Sequence, residues 1–454
     1  MDRAYKHFER DFFTGLFNQY NSFSVGLLVI ITETDREGLF VPINSIEEIR
    51  VDDKVVTFDG ALTHGTVREV ASSDSVFYKD STSHIQIQAF LGQDDQVASS
   101  VLTPLSSWGS NHRLRGICYL ALRFKWNQDI FGGIPQVQAK VKGKKVVTLA
   151  SNLSEQTASF STNPAFCLLD YLRNERYGKG IATSNLDLQS FYDASQVCVT
   201  QVTPYSGASD INIFDTNTVL DTSQKIIDNV REMLKGCRGY LPYTNGKYKL
   251  IIETIGSAAI TLTEDDIIGG YNLSIPQKND RYNRVIVGFV NPARNFQVDE
   301  IQYPSIDDSG YANEDKHATM KTADGGFLLE GRFSFKTLTS PYQAEEMAEV
   351  ILRRSREAMT LGLNVSFDAY DLAIGDIVNI THSSLGFSAK AFRVMGLTFN
   401  EDFTIGLSLV EYQASHYTWA SKAQVSSTPS TNLPNPFTIQ PPASVTLTDQ
   451  LIEY

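Results

Sequence analysis

The residues with most hydrolytic potential are two acidic runs, Glu264-Asp265-Asp266 and Asp307-Asp308. A glycosidase needs two carboxyls flanking a sugar, one of them in an apolar pocket that raises its pKa. Adjacent acids in polar segments cannot be divided into acid and base in that way. Thr263-Glu264-Asp265-Asp266-Ile267 reads instead as an acidic helix start, favoured by the helix dipole. Asp307 to Asp315 offers Asp, Asn and Ser oxygens to calcium but lacks the EF-hand frame, so a solvated loop is the better reading. No Gly-x-Ser-x-Gly elbow, Walker loop or His-Glu-x-x-His is present. Gly143-Lys144-Lys145, without its upstream glycine, reads as a solvated turn between two strands. The seven histidines are scattered. Cys118, Cys167, Cys198 and Cys237 form no CxxC or Cys/His cluster. Free thiols of a protein made in a reducing cytoplasm are expected, with no catalytic residue, no metal site and no cofactor.

Such a chain must be read through the elements that would carry a structural role. It has 454 residues, enough for about three domains. A net charge of −13 argues against a general nucleic-acid binder, which carries a basic face, and against electrostatic docking on anionic lipid. A hydrophobic content of 42% with 20% charged residues is that of a globular chain. The longest apolar run, about Val25 to Ile31, is far short of a membrane-spanning helix. The first residues lack the order of a signal peptide.

Residues 1–24 read as an extended arm, and 25–160 as a β-rich region that opens on a strand from Val25 to Thr32. His84 to Phe90 and Val137 to Val141 alternate with period two, whereas Tyr119 to Phe124 is a denser, more buried strand. The texture changes in 161–260. Asn163-Pro164 places an N-cap before a proline at the first helical position, with Phe166, Leu169 and Leu172 on one face. A second helix is expected from about Asn185 to Cys198. A third follows Asp221, with Ile226, Ile227, Val230 and Leu234 inward and Gly236 as its stop. Tyr240 to Ile252 around Asn245-Gly246 is a hairpin with a type I′ turn. In 261–420, Arg284 to Val290 is a buried strand and 296–326 a long polar loop with six acids. Ser340, Pro341 and Gln343 predict a capped helix to about Met359. Strands follow near 363–367, 377–381, 391–397 and 404–411. Residues 421–454 read as a proline-stiffened linker and the first strand of a further, fibronectin-like domain.

Several stretches together resemble one family. Asn163-Pro164-Ala165-Phe166-Cys167-Leu168-Leu169-Asp170-Tyr171-Leu172 with Arg176-Tyr177-Gly178-Lys179-Gly180 resembles a signature of phage tail-tip hubs. These are the tip attachment (host-specificity) protein J of lambda-like siphophages and its relatives. Arg115-Gly116, Tyr119 to Arg123, Phe131 to Pro135 and Val141 to Val146 match the family's approach to that signature. Ser223 to Gly236 running into the hairpin, Asp280-Arg281-Tyr282-Asn283-Arg284, Tyr342 to Glu345 and Leu372 to Val378 with Gly375-Asp376 follow in family order. The likeness spans about 115–415.

The resemblance implies an α+β, β-dominated hub with two small tube-type β-barrels flanking a mixed α/β block. It implies a homotrimer whose six barrels join the hexameric tail tube, and a virion protein assembled in the host cytoplasm. Expected partners are the distal tail and tail-tip proteins, the tape-measure protein, and central fibre or receptor-binding proteins. Phage DNA would pass through without specific binding, and the host receptor would be met only indirectly. The competing readings are a tail-associated cell-wall glycan hydrolase and a carbohydrate-binding β protein.

Overall fold

The structure, a computed structural model, describes residues 42–103, 108–277, 280–304 and 316–425, together with the backbone of 17–18 and 23–33. The fold is α+β and dominated by strands. The N-terminal strands are β1 (Phe17–Asn18), β2 (Phe23–Glu33), β3 (Ile43–Val51), β4 (Lys54–Val55), β5 (Val67–Glu69), β6 (Ile85–Leu91), β7 (Ile117–Lys125) and β8 (Val137–Lys144). They form one sheet in the order β1-β2-β7-β6-β5 and a second in the order β8-β3-β4. The two share a core in which Ile43, Ile46 and Ile49 meet Ile85, Ile87, Leu120 and Leu122. The other face of β6 and β7 is covered too, with Phe90, Tyr119 and Ala121 against Val101, Leu102 and Trp108. Burial on both faces is why Tyr119 to Phe124 reads as a continuous apolar run rather than an alternation. The Gly143-Lys144-Lys145 turn is a correction: β8 runs through Lys144, paired with Ile43.

Three helices, α1 (Pro164–Arg173), α2 (Leu188–Cys198) and α3 (Ile226–Gly236), build a separate core. In α3, Val230 is buried with Asn229 and Met233, and Ile226 and Leu234 pack against the same core; of the expected inward stripe only Ile227 is corrected, being half exposed. The hairpin forms from β9 (Tyr243–Thr244) and β10 (Lys247–Tyr248), with Asn245 and Gly246 at φ 52° and 77°. Positive φ at both central residues is what a type I′ turn requires.

Next in the chain are β11 (Ala258–Leu262), β12 (Ile267–Ser274), β13 (Arg284–Asn291), β14 (Gln297–Tyr303), α4 (His317–Ala323), β15 (Glu330–Ser334) and α5 (Pro341–Arg356). β14 pairs antiparallel and β15 parallel with the central β13. Helix α5 covers that sheet through Ala344, Met347, Ala348 and Leu352. The expected loop 296–326 is thus corrected, because strand β14 and helix α4 occupy most of its described residues. Residues 305–315, including Asp307 and Asp308, lie outside the described residues. Polarity misled here because β14 is an edge strand with solvent along one side, where charged residues are tolerated. The capping box at Ser340 does not form, since the Gln343 amide donates to the Asn212 carbonyl at 2.9 Å instead.

The last strands are β16 (Thr360–Val365), β17 (Ile377–His382), β18 (Phe387–Phe399) and β19 (Ile405–Glu411). They make a six-stranded sheet with β11 and β12, in the order β11-β17-β18-β19-β16-β12. Its two edge strands are consecutive in sequence, joined only by Thr263–Asp266, so the sheet curls until its edges meet at that corner. Leu262, Leu363, Val378, Phe392, Val394 and Leu407 fill the inside. No ladder closes β11 onto β12 among the described residues.

Candidate functional site

The Asn163–Gly180 signature folds as one unit. The Asn163 side chain accepts from Ala165 N at 3.0 Å and donates to the Ser195 carbonyl at 3.0 Å, tying the start of α1 to α2. Pro164 occupies the first turn, where its missing N–H costs nothing. Phe166, Leu169 and Leu172 are buried. At the far end Asn174 caps the helix and accepts from Arg176 N and Tyr177 N at 2.9 and 3.0 Å. The chain then doubles back. Gly180 N, at φ +66°, donates to Asn174 O at 3.0 Å, and Ile181 N to Leu172 O at 2.9 Å.

Gly178 sits so close to α1 that a Cβ would lie 1.7 Å from the Tyr171 carbonyl oxygen. Gly178→Ala should therefore push the return loop off the helix. We expect a loss of about 1–3 kcal/mol, since inserted methyl groups in tight sites displace backbone; a urea titration measures it. The Tyr177 hydroxyl donates to Asp170 Oδ2 at 3.0 Å, and Lys144 at the end of β8 reaches the same carboxylate at 3.0 Å. Lys144 was not singled out by sequence for this role, because its partner lies far along the chain.

Asn283, fully buried, clamps the 324–329 turn. It donates to Asp324 Oδ2 at 3.0 Å and to Phe327 O at 2.9 Å, and it accepts from Leu329 N at 3.0 Å. Arg356 at the end of α5 pairs with Asp324 at 2.9 Å. Asp280 accepts from Gln277 N at 3.3 Å, and Arg281 Nε is buried without a hydrogen bond. Gly375, at φ +98°, has Ile251 side-chain carbons 3.0 Å from where a Cβ would stand. Asp376 Oδ2 accepts from Ala373 N at 2.8 Å and closes that turn. The three places border different cores: the signature that of the helices, Asn283 that beneath α5, and Gly375-Asp376 that of the curled sheet. Each is a joint of the fold rather than part of one cleft.

The acids weighed for catalysis are used structurally. Asp266 Oδ2 accepts from Thr263 N and Oγ1, both at 2.8 Å, in a capping box that starts a short 3₁₀ turn. Glu264 is exposed and bonded to Ser383, which holds its carboxyl below the usual range. All four cysteines are free thiols, and no group of three His, Cys, Asp or Glu side chains among the described residues could hold a metal ion. Burial pushes the thiols of Cys167 and Cys237 up to about 12 and raises those of Cys118 and Cys198 well above the ordinary thiol value. A thiolate is the reactive form, so a disulfide reagent at pH 8 should label the native chain far more slowly than the urea-unfolded one. Comparable native labelling would show those sites to be open.

One constellation escaped the sequence reading. Where the helical core, α5 and the curled sheet meet, Glu253 accepts from Arg354 at 2.7 Å and from the Tyr417 hydroxyl at 2.7 Å, with Arg393 Nε at 3.5 Å. Arg393 lies over the Tyr412 ring at 4.9 Å, and Arg238 over the Phe214 ring at 4.8 Å. Lys422 is buried against Glu346 at 2.8 Å and against Glu349. Burial opposes its charge, but the two carboxylates hold the ammonium above its usual pKa. Lys422 stands in the stretch read as linker, which is corrected at least to Val425: residues 421–425 are bound to the body, with Lys422 N donating to Pro204 O at 2.8 Å and Val425 N to the Tyr342 hydroxyl at 3.4 Å. The only sequence signal was the pair of acids at positions 346 and 349, three apart on the covered face of α5.

Residues 225–397, which carry α3, Asn283, Gly375, Asp376, Glu253, Glu346, Glu349 and Arg393, match the family described as putative phage tail protein. The baseplate hub protein pb3 of Escherichia phage T5 is 26% identical over 366 residues, which cover 74% of this chain. The chain is related to phage tail hub proteins. It spans 37% of the length of that relative. A chain from the virion of a native gene transfer agent particle has the same fold at a TM-score of 0.54 and 14% identity, over 89% of this chain and 81% of that one.

Proposed function

We propose that this chain is a non-catalytic structural subunit of a phage tail-tip hub, forming a homotrimeric ring in the virion. The observation that carries the reading is the match to the T5 baseplate hub protein over most of this chain. The structural use of Asp266 and Glu264 supports a role without catalysis, over the glycan hydrolase. In this proposal the signature residues are joints that keep each unit rigid. The curled six-stranded sheet and the paired N-terminal sheets are the two small barrels of each subunit, and 161–260 is the block between them. Three-fold closure lets heterologous contacts be satisfied without an open filament.

A trimer carries three times −13, or −39. An acidic or neutral lumen lets duplex DNA slide, because Lys and Arg would release counterions and hold the phosphates. The ring would meet the distal tail, tail-tip and tape-measure proteins above, and central fibre or receptor-binding proteins below. Contact with the host receptor would be indirect, and assembly would take place in the host cytoplasm. Native mass spectrometry of the purified chain, with electron microscopy of particles that carry it, tests the reading. We expect a mass of three chains and a ring at the distal end of the tail. A stable monomer absent from particles would overturn it.

A further inference from the structure

After β19 the chain does not leave the body but runs as a strap across two parts of it. On one side the strap holds the helical core: Lys422 pairs with Tyr205 as an isolated bridge, and the Trp419 indole donates to the Thr203 carbonyl at 2.9 Å. On the other side it holds α5: Lys422 sits between Glu346 and Glu349, Ser415 O accepts from Arg353 at 3.2 Å, and His416 Nε2 meets Glu357 at 2.9 Å. We propose that 412–425 is a releasable latch that couples the helical core to α5, with Lys422 as its bolt.

The seam beneath the strap supports this. Direct bonds cross it at Asn217 N to Thr337 O, 3.0 Å, and Lys235 Nζ to Ser334 O, 2.9 Å, besides the Gln343–Asn212 bond. Yet Thr216 Oγ1, Thr337 Oγ1, Gln343 Oε1 and all three nitrogens of Arg238 are buried there without a hydrogen bond. Such groups cost free energy while the seam is shut and regain water when it opens. A seam built this way leans on an outside tie. Beside the buried Tyr412 and Tyr417 rings the strap is tied at Lys422 by an ion pair, and a buried ion pair specifies one geometry while its desolvation cost offsets much of its attraction. Glu349 keeps Arg353 of its own helix at 2.8 Å in either state, whereas Arg238, 3.8 Å from Glu346, lies on the helical-core side and parts from it when the seam opens. The latch does not depend on the ring proposed above.

Native-state hydrogen exchange on the full chain tests it. In the unmodified protein, amides in 203–217, 337–343 and 414–425 should open together as one unit of lower stability than β6, β7 and β16 to β19. Lys422→Met should speed exchange of all three segments by about tenfold and leave the sheets unchanged. If the three segments open independently in the unmodified chain, or if Lys422→Met affects only the strap or every amide equally, the latch is overturned. The unmodified-chain measurement decides even where the variant fails to fold.

Discussion

Replacing Glu253 by Gln is expected to destabilise the chain by about 3–5 kcal/mol, the usual cost of stripping one partner from a buried ion pair. The change keeps the volume and removes only the charge. Glu253 is buried at the meeting point of three units and serves Arg354, Arg393 and the Tyr417 hydroxyl. Without it, the Arg393 guanidinium is left between two tyrosine rings with backbone carbonyls Gly375 O and Thr254 O, each at 3.1 Å, but no counter-charge. Water cannot reach it without opening the junction. The midpoint of a urea transition should fall strongly. The lost protection in hydrogen exchange should centre on 238–256 and 412–417, and not on the N-terminal sheets. A loss under 1 kcal/mol would mean that the cluster is hydrated and the carboxylate dispensable.

Leu169→Ala should cost about 2–5 kcal/mol, the range for removing a leucine side chain from a core that relaxes only in part. Leu169 is 1% exposed and lies on α1 among Phe166, Leu172, Phe191 and Val230. Asn163 and the 177–181 return loop hold both ends of α1, so the helix cannot slide to fill the space. The effect should therefore lie toward the upper end of the range. Where the chain is made in infected cells, assembly into particles should drop with stability. A change below 1 kcal/mol would mean that the helix repacks freely and the signature does not fix it.

Several parts of this protein are legible in the linear chain because their causes are local. Asn163-Pro164 specifies a helix start through one side-chain bond and one fixed φ. Asn245-Gly246 specifies a tight hairpin because both residues tolerate positive φ. The apolar density of Tyr119 to Phe124 announces a strand covered on both faces. The order of the hub-like motifs likewise survives as a one-dimensional pattern. Local rules also misled. Ser340 and Gln343 have the types of a capping box, but Gln343 finds Asn212, more than a hundred residues away, and the box is left open. The acids of 296–326 look like loop, yet β14 pairs with β13 because an edge strand can keep its charged residues in solvent.

What only the tertiary structure decided is every role defined by a distant partner. Gly178 is held to glycine by the Tyr171 carbonyl above it, not by a left-handed backbone. Lys144 closes a triad with Asp170 and Tyr177, although it reads as a surface turn. Lys422 reads as the start of a linker and is instead buried between Glu346 and Glu349. A charge in a sequence has no sign of burial attached to it. The cost of taking it out of water is met only when folding brings opposite charges within reach, and that placement is a property of three units meeting, not of any one segment. The order of the motifs therefore pointed to the family, while the charged junction that joins its parts became visible only with the chain folded.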